Sequence, residues 1–197
     1  MKKITLSLTL LLPILLVGLT STGERYVQAV DDAEIRLVDA EFIGATRCRT
    51  CHRTEEQGEQ FPIWEKSAHA GAFATLASDE AKSIAQGKGI ADPQAATECL
   101  QCHVAAFDAP AERLGDRYDK AEGVTCESCH GAGGEYYRKA TMEGISSGEI
   151  DPASVGLIKP DEALCRTCHN EKSPTFKGFD FEEFWAKIAH PVPAPAG

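Results

Sequence analysis

The chain has 197 residues, with 30 acidic against 20 basic side chains and a formal net charge of −10. An acidic balance of that size repels phosphate backbones and argues against a nucleic-acid binder. It is compatible with simple solubility, and with a redox partner that offers a basic docking face, where long-range charge steers the encounter and salt weakens it.

The sequence opens Met1-Lys2-Lys3 and continues with an apolar run from Ile4 to Leu19 that contains Pro13. The run is 16 residues long, short for a membrane span and suited to a signal-peptide core. Val27-Gln28-Ala29 fits the small-x-small cleavage rule, with Ser21-Thr22-Gly23 as a second candidate. Residues 1–29 therefore read as a signal peptide, with an uncleaved anchor as the alternative, and residues 30–197 as a single domain. No cysteine closely follows the apolar run, against a lipoprotein anchor, and no second run reaches membrane length. Cleavage would remove Lys2, Lys3, Arg25 and Glu24, leaving 17 basic against 29 acidic residues, a balance of −12.

Residues 30–44 are mixed and acidic and read as a loosely docked arm. Cys48-Arg49-Thr50-Cys51-His52 follows, the first of four Cys-x-x-Cys-His copies. The others are Cys99-Leu100-Gln101-Cys102-His103, Cys126-Glu127-Ser128-Cys129-His130 and Cys165-Arg166-Thr167-Cys168-His169. Together they use all eight cysteines and four of the six histidines. This is the attachment signature of c-type haem: two thiols add to the haem vinyl groups, and the adjacent histidine ligates the iron. Four disulfides, two zinc sites of paired Cys-x-x-Cys, or redox dithiols are the competing readings. None of them requires a histidine after the second cysteine every time. In bacteria this attachment takes place outside the cytoplasmic membrane, so the export signal and the motifs support each other and point to a periplasmic location.

Residues 53–61 are polar and suit a short exposed helix or turn, and Pro62 can open the next helix. From Ile63 to Leu76 the period is helical, with His69, Ala72, Phe73 and Leu76 on one stripe. A histidine there is either a hydrogen-bonded core residue or a distal iron ligand. Its small neighbours Ala68, Ala70 and Gly71, and the haems to be ligated, favour the ligand. Residues 78–86 read as a capped helix ended by Gly87-Lys88-Gly89. Pro110 and Gly115 break the connection between the second and third motifs. Gly131-Ala132-Gly133-Gly134 has neither the strand before it nor the Lys-Ser/Thr after it that a phosphate loop needs. It reads as a tight turn where backbone passes close over a haem face. Tyr136, Tyr137 and Met142 follow, residues 144–160 read as loop, and Asp161 caps the helix of the fourth motif. A last helix runs from about Phe181 to Ala189, with His190 at its end, placed either to ligate iron or to face solvent. Residues 191–197 form a polyproline-like mobile tail. The motif spacings follow no fixed period, which excludes a solenoid.

Residues 30–197 give 168 residues for four haems. That is too little for an ordinary apolar core plus four separate pockets, so the porphyrins must form much of the interior. The expected fold is mainly α, with short helices and long loops wrapped around four close-packed haems and little or no β-sheet. Four haems need four distal ligands, and only His69 and His190 remain as spare histidines. At most two haems can have histidine on both faces. Met142 is a candidate for a third, and at least one iron is left to tyrosine, lysine, water or a substrate.

The order of these features resembles the tetrahaem cytochrome c-554 family of nitrifying bacteria and its relatives. The matching stretches are the first motif, Trp64-Glu65-Lys66-Ser67-Ala68-His69-Ala70, Cys99 to Val104, Gly123-Val124-Thr125-Cys126-Glu127-Ser128-Cys129-His130-Gly131, and Cys165 to His169 with the final helix to His190. The resemblance implies a mostly helical fold around haems stacked in close pairs, and periplasmic electron transfer from hydroxylamine oxidation toward the quinone pool. It further implies distal ligation by His69 and His190, and an open iron at the motif of Cys99, Cys102 and His103. The family has a further distal histidine shortly after the third motif. Here that region, 135–142, contains none.

The leading expectation is an exported tetrahaem electron carrier between redox partner proteins, compatible with peripheral association with a membrane redox complex. The rival is a small haem oxidoreductase acting on a nitrogen species such as nitric oxide at an open iron. A subunit of a conductive haem filament conflicts with the histidine count, because such filaments rest on complete bis-histidine ligation.

Overall fold

The computed structural model describes residues 40–192. Residues 1–29, read above as a signal peptide, residues 30–39 of the arm and the tail from residue 193 lie outside the described residues. Among the described residues the chain forms nine α-helices joined by loops and 3-10 turns, with one isolated bridge between Phe42 and Leu114 and no sheet. The fold is mainly α. The helices are α1 (Ala45–Arg49), α2 (Gln60–Glu65), α3 (Ala72–Thr75), α4 (Asp79–Gly87), α5 (Thr97–His103), α6 (Cys126–His130), α7 (Lys139–Ser147), α8 (Glu162–Cys165) and α9 (Phe181–Ile188). None is long and apolar enough to cross a membrane.

Several helix ends are capped, two of them, at Ser78 and Asp161, as the sequence predicts. Ser78 accepts from Ala81 N–H at the start of α4, Asp161 from Leu164 N–H at α8, and Asp180 from Glu183 N–H at α9. Thr125 and Ser128 form a reciprocal capping box at α6. Gly148, left-handed at φ 80°, stops α7.

Three stretches differ from the sequence reading. Residues 63–76 are not one helix: α2 ends at Glu65, α3 starts at Ala72, and His69 lies in the turn between them. The Ser67 hydroxyl donates to the Trp64 carbonyl, and the His69 carbonyl accepts from Val124 N–H. One local and one long-range bond thus take up carbonyls that a continuous helix would use in its ladder. Part of the loop expected over 144–160 is helical, because Gly144 sits inside α7 where a side chain would strike Ile150. Residues 40–44 are not loosely docked: Ala40 and Ile43 are buried, and Phe42 exchanges backbone hydrogen bonds with Arg113 and Gly115.

The interior that the polypeptide supplies is thin. Half of its buried apolar residues are alanines, and no large side chain among the described residues is fully buried.

Candidate functional site

Each Cys-x-x-Cys-His motif is wound as one helical turn. The His52 N–H donates to the Cys48 carbonyl at 3.0 Å, and the His169 N–H to that of Cys165 at 3.0 Å. The second motif ends α5 and the third makes up α6. A single turn brings positions i, i+3 and i+4 to one side, so both thiols and the imidazole of a motif face the same way.

The motifs are neighbours in pairs that sequence order does not reveal. Cys48 of the first lies against Cys126 of the third, and that neighbour, followed by burial, raises the Cys48 thiol. Cys102 of the second lies beside Cys168 of the fourth, and burial and that neighbour push it up to about 11. Burial and the charge of Cys165 push Cys129 up to about 11, which brings the third motif within electrostatic reach of the fourth. The first motif is thus paired with the third and the second with the fourth, where Cys168 Sγ also lies 3.8 Å from the Gln101 carbonyl.

Both spare histidines stand opposite a motif histidine. The ring centres of His69 and His169 are 6.0 Å apart, and those of His130 and His190 are 5.9 Å apart. Two imidazoles bound to opposite sides of one metal, with bonds of about 2 Å, have ring centres about 6 Å apart. Burial lowers the pKa of all four, and the adjacent imidazole lowers that of His69 and His190 further. Each is held neutral, the form that binds metal.

Motif histidines are oriented through Nδ1. His103 Nδ1 lies 2.7 Å from the Ala72 carbonyl, His130 Nδ1 lies 3.2 Å from that of Ile158, and His52 Nδ1 lies 3.2 Å from Gln60 Oε1. An acceptor at Nδ1 fixes the proton there and leaves the Nε2 lone pair for iron. His169 is instead held by rings, stacked on Phe179 at 4.8 Å and edge-on to Phe184 at 5.7 Å.

Two clamps position these groups. The Trp64 indole N–H donates to the Val124 carbonyl at 2.8 Å, while Val124 N–H donates to the His69 carbonyl at 3.0 Å. The Trp-x-x-Ser-x-His stretch and the Gly-Val-Thr stretch before the third motif therefore grip each other. Gly123 makes this approach feasible, with φ +73° and no room for a Cβ, which would lie 2.7 Å from the His69 oxygen. In the second clamp, the buried Glu127 carboxylate accepts from the N–H groups of Ile43, Gly44 and Gly133 at 2.8–2.9 Å. It fastens the segment before the first motif onto the third. The glycine turn 131–134 approaches other chain segments closely: Gly131 the Gly156 carbonyl, Gly133 Ile43 and Glu127, and Gly134 Glu41. Sequence reasoning missed Glu127 as a clamp, since inside the motif it reads only as a spacer.

These residues fit covalent haem on three counts. The opposed imidazoles have the spacing of an iron ligand pair, the motif histidines have Nδ1 partners that free Nε2, and the polypeptide interior is too thin to stand as a core of its own. The competing readings fit less well. All eight cysteines are free of disulfides. Among the described residues no three His, Cys, Asp or Glu side chains converge as a metal cage. Burial also raises the thiols of Cys99, Cys102, Cys129 and Cys165, the reverse of what a reactive dithiol needs, while Cys126 is lowered by its neighbour Cys48. Met142 lies half-buried on α7.

The family model described as cytochrome c554 and c-prime matches residues 47–131, which span the first three motifs and the His69 turn. Cytochrome c-554 of Nitrosomonas europaea is 31% identical over 155 residues, covering 71% of this chain. The chain spans 63% of that relative's length. No solved structure matches the chain. The paired motifs, the opposed histidines and these matches lead to one conclusion: the chain belongs to the cytochrome c-554 family.

Proposed function

We propose that this protein is an exported tetrahaem c-type cytochrome that carries electrons between redox partner proteins outside the cytoplasmic membrane. The observation that carries the reading is the pairing of the four motifs, one with three and two with four, with His190 facing the third motif histidine and His69 the fourth. Each haem, held by its cysteine pair and histidine, would supply one iron that takes up and releases one electron. In this reading His130 and His190 hold one iron and His169 and His69 another. With His69 and His190 facing His169 and His130, no spare histidine is left for His52 and His103. Met142 is the remaining candidate ligand for one of these irons.

Bis-histidine ligation suits electron carriage rather than substrate turnover, which favours the carrier over the nitrogen-species oxidoreductase. The acidic chain suits partners with a basic docking face, including the exposed part of a membrane redox complex.

The purified holoprotein tests this directly. Haem analysis should give four haems per chain, and EPR of the oxidised form should count two bis-histidine low-spin irons. Carbon monoxide should bind the reduced protein at no more than two haems. Fewer than four haems, or carbon monoxide at all four, would overturn the proposed ligation. Failure to exchange electrons with any redox partner would overturn the carrier role.

A further inference from the structure

Three of the motif histidines have Nδ1 partners, and two of these partners are backbone carbonyls that no substitution removes. The third is a side chain. Gln60, at the first position of α2, presents Oε1 to His52 Nδ1 at 3.2 Å. Its Nε2 donates to the carbonyl of Pro191 at 3.1 Å. Only one orientation of the amide satisfies both contacts, with oxygen toward the imidazole N–H and nitrogen toward the carbonyl. Pro191 directly follows His190, the imidazole opposite His130. The three groups are packed tightly enough that a Cβ on the neighbouring Gly58 would lie 2.4 Å from Gln60 Nε2 and 2.6 Å from the Pro191 oxygen. His190 Nδ1 itself is buried without a hydrogen-bond partner.

We infer that Gln60 is a positioning residue shared by two haems: it sets the tautomer and basicity of His52 at the first and anchors the segment that presents His190 to the third. The inference rests on the proposed ligation. Its two halves act through different atoms of one amide, and that makes them separable. An acceptor at Nδ1 makes an imidazole more electron-donating, and a carboxylate does so more strongly than an amide. A more electron-rich ligand stabilises ferric iron and lowers the potential. Neither a carboxylate nor a hydrocarbon can donate to the Pro191 carbonyl.

The test uses the four-haem holoprotein carrying Gln60→Glu or Gln60→Leu, with redox titration and EPR as readouts. The third haem is assigned by the low-spin signal lost in His190→Ala, and the first by the signal altered in His52→Met. If both assignment variants leave two bis-histidine signals intact, the proposed ligation fails and this inference with it. With the ligation in place, the first haem's potential should fall in Gln60→Glu and rise in Gln60→Leu. The third haem's low-spin signal should shift or broaden in both. A merely structural role would move the first haem in the same direction in both variants. That result, an unmoved first haem, or an unchanged third-haem signal would overturn the inference. Should the leucine variant fail to take four haems, the near-isosteric Gln60→Glu decides alone, by the sign of the first haem's shift and the change in the third.

Discussion

The imidazole of His69 faces that of His169 with ring centres 6.0 Å apart, although the two belong to chain segments brought together only by the fold. His69 lies in a turn and is only half-buried, so its removal need not disturb a helix or a core. On the proposed ligation, replacing it by alanine should leave the haem count at four and convert one low-spin iron, that of the fourth motif, to high spin. His190→Ala should do the same to the third-motif iron, and the double variant should lose both low-spin signals additively. EPR of the oxidised proteins checks this. If His69→Ala altered the iron of His52 or His103 instead, the ligand pairing would be wrong.

The same haem should respond to a change that leaves the imidazole in place. Gly123 has φ 73° and ψ −134°, a region that is almost exclusively glycine's. A methyl group there would also lie 2.7 Å from the His69 carbonyl and 3.1 Å from that of Ala70, and backbone oxygens have no rotamer by which to withdraw. Gly123→Ala should therefore cost about 1–3 kcal/mol in strain, plus whatever the turn loses by moving. Its thermal unfolding temperature should drop, and its fourth-haem low-spin signal should weaken or shift. Gly89→Ala is the control. It replaces another positive-φ glycine, at φ 72°, but one with nothing within 4 Å of the new Cβ, and its spectrum should match wild type.

The relation between Gly123 and His69 also marks where sequence reasoning stops. The four attachment motifs, the caps at Ser78 and Asp161, and the last helix with His190 after it are local features, and local chemistry predicts them. His69 was recognisable as a ligand candidate for a partly mistaken reason. Its residue type and small neighbours carried the argument, but the helical stripe drawn through it does not exist. The period from Ile63 to Leu76 is interrupted because carbonyls that a helix would use internally are taken by Ser67 Oγ and Val124 N–H. Nothing in a Cys-x-x-Cys-His motif states which other copy it will adjoin. The contacts of Cys48 with Cys126 and of Cys102 with Cys168 depend on distant clamps. One of those clamps is a residue inside the third motif that reads, in one dimension, only as a spacer.

That residue, Glu127, allows a stability prediction with internal contrast. Its Oε1 accepts from Ile43 N–H at 2.9 Å and Gly133 N–H at 2.8 Å, and its Oε2 from Gly44 N–H at 2.9 Å, all in a buried setting. Glu127→Ala orphans three buried donors at a cost of about 1–3 kcal/mol each. That is a large share of the total stability of a domain of this size, which is about 5–15 kcal/mol. Glu127→Gln is different, because its single oxygen can take the Oε1 position and keep two of the three bonds. Only Gly44 N–H then meets an amide NH₂ in place of an acceptor. The glutamine variant should therefore lose about a third as much stability as the alanine variant. Denaturant titration followed by far-UV circular dichroism checks the ratio. The alanine variant should also lose order in the segment from Ala40 to Ala45, with faster amide exchange at Ile43 and Gly44. Equal losses in the two variants would mean that the carboxylate acts through its charge rather than through the three hydrogen bonds.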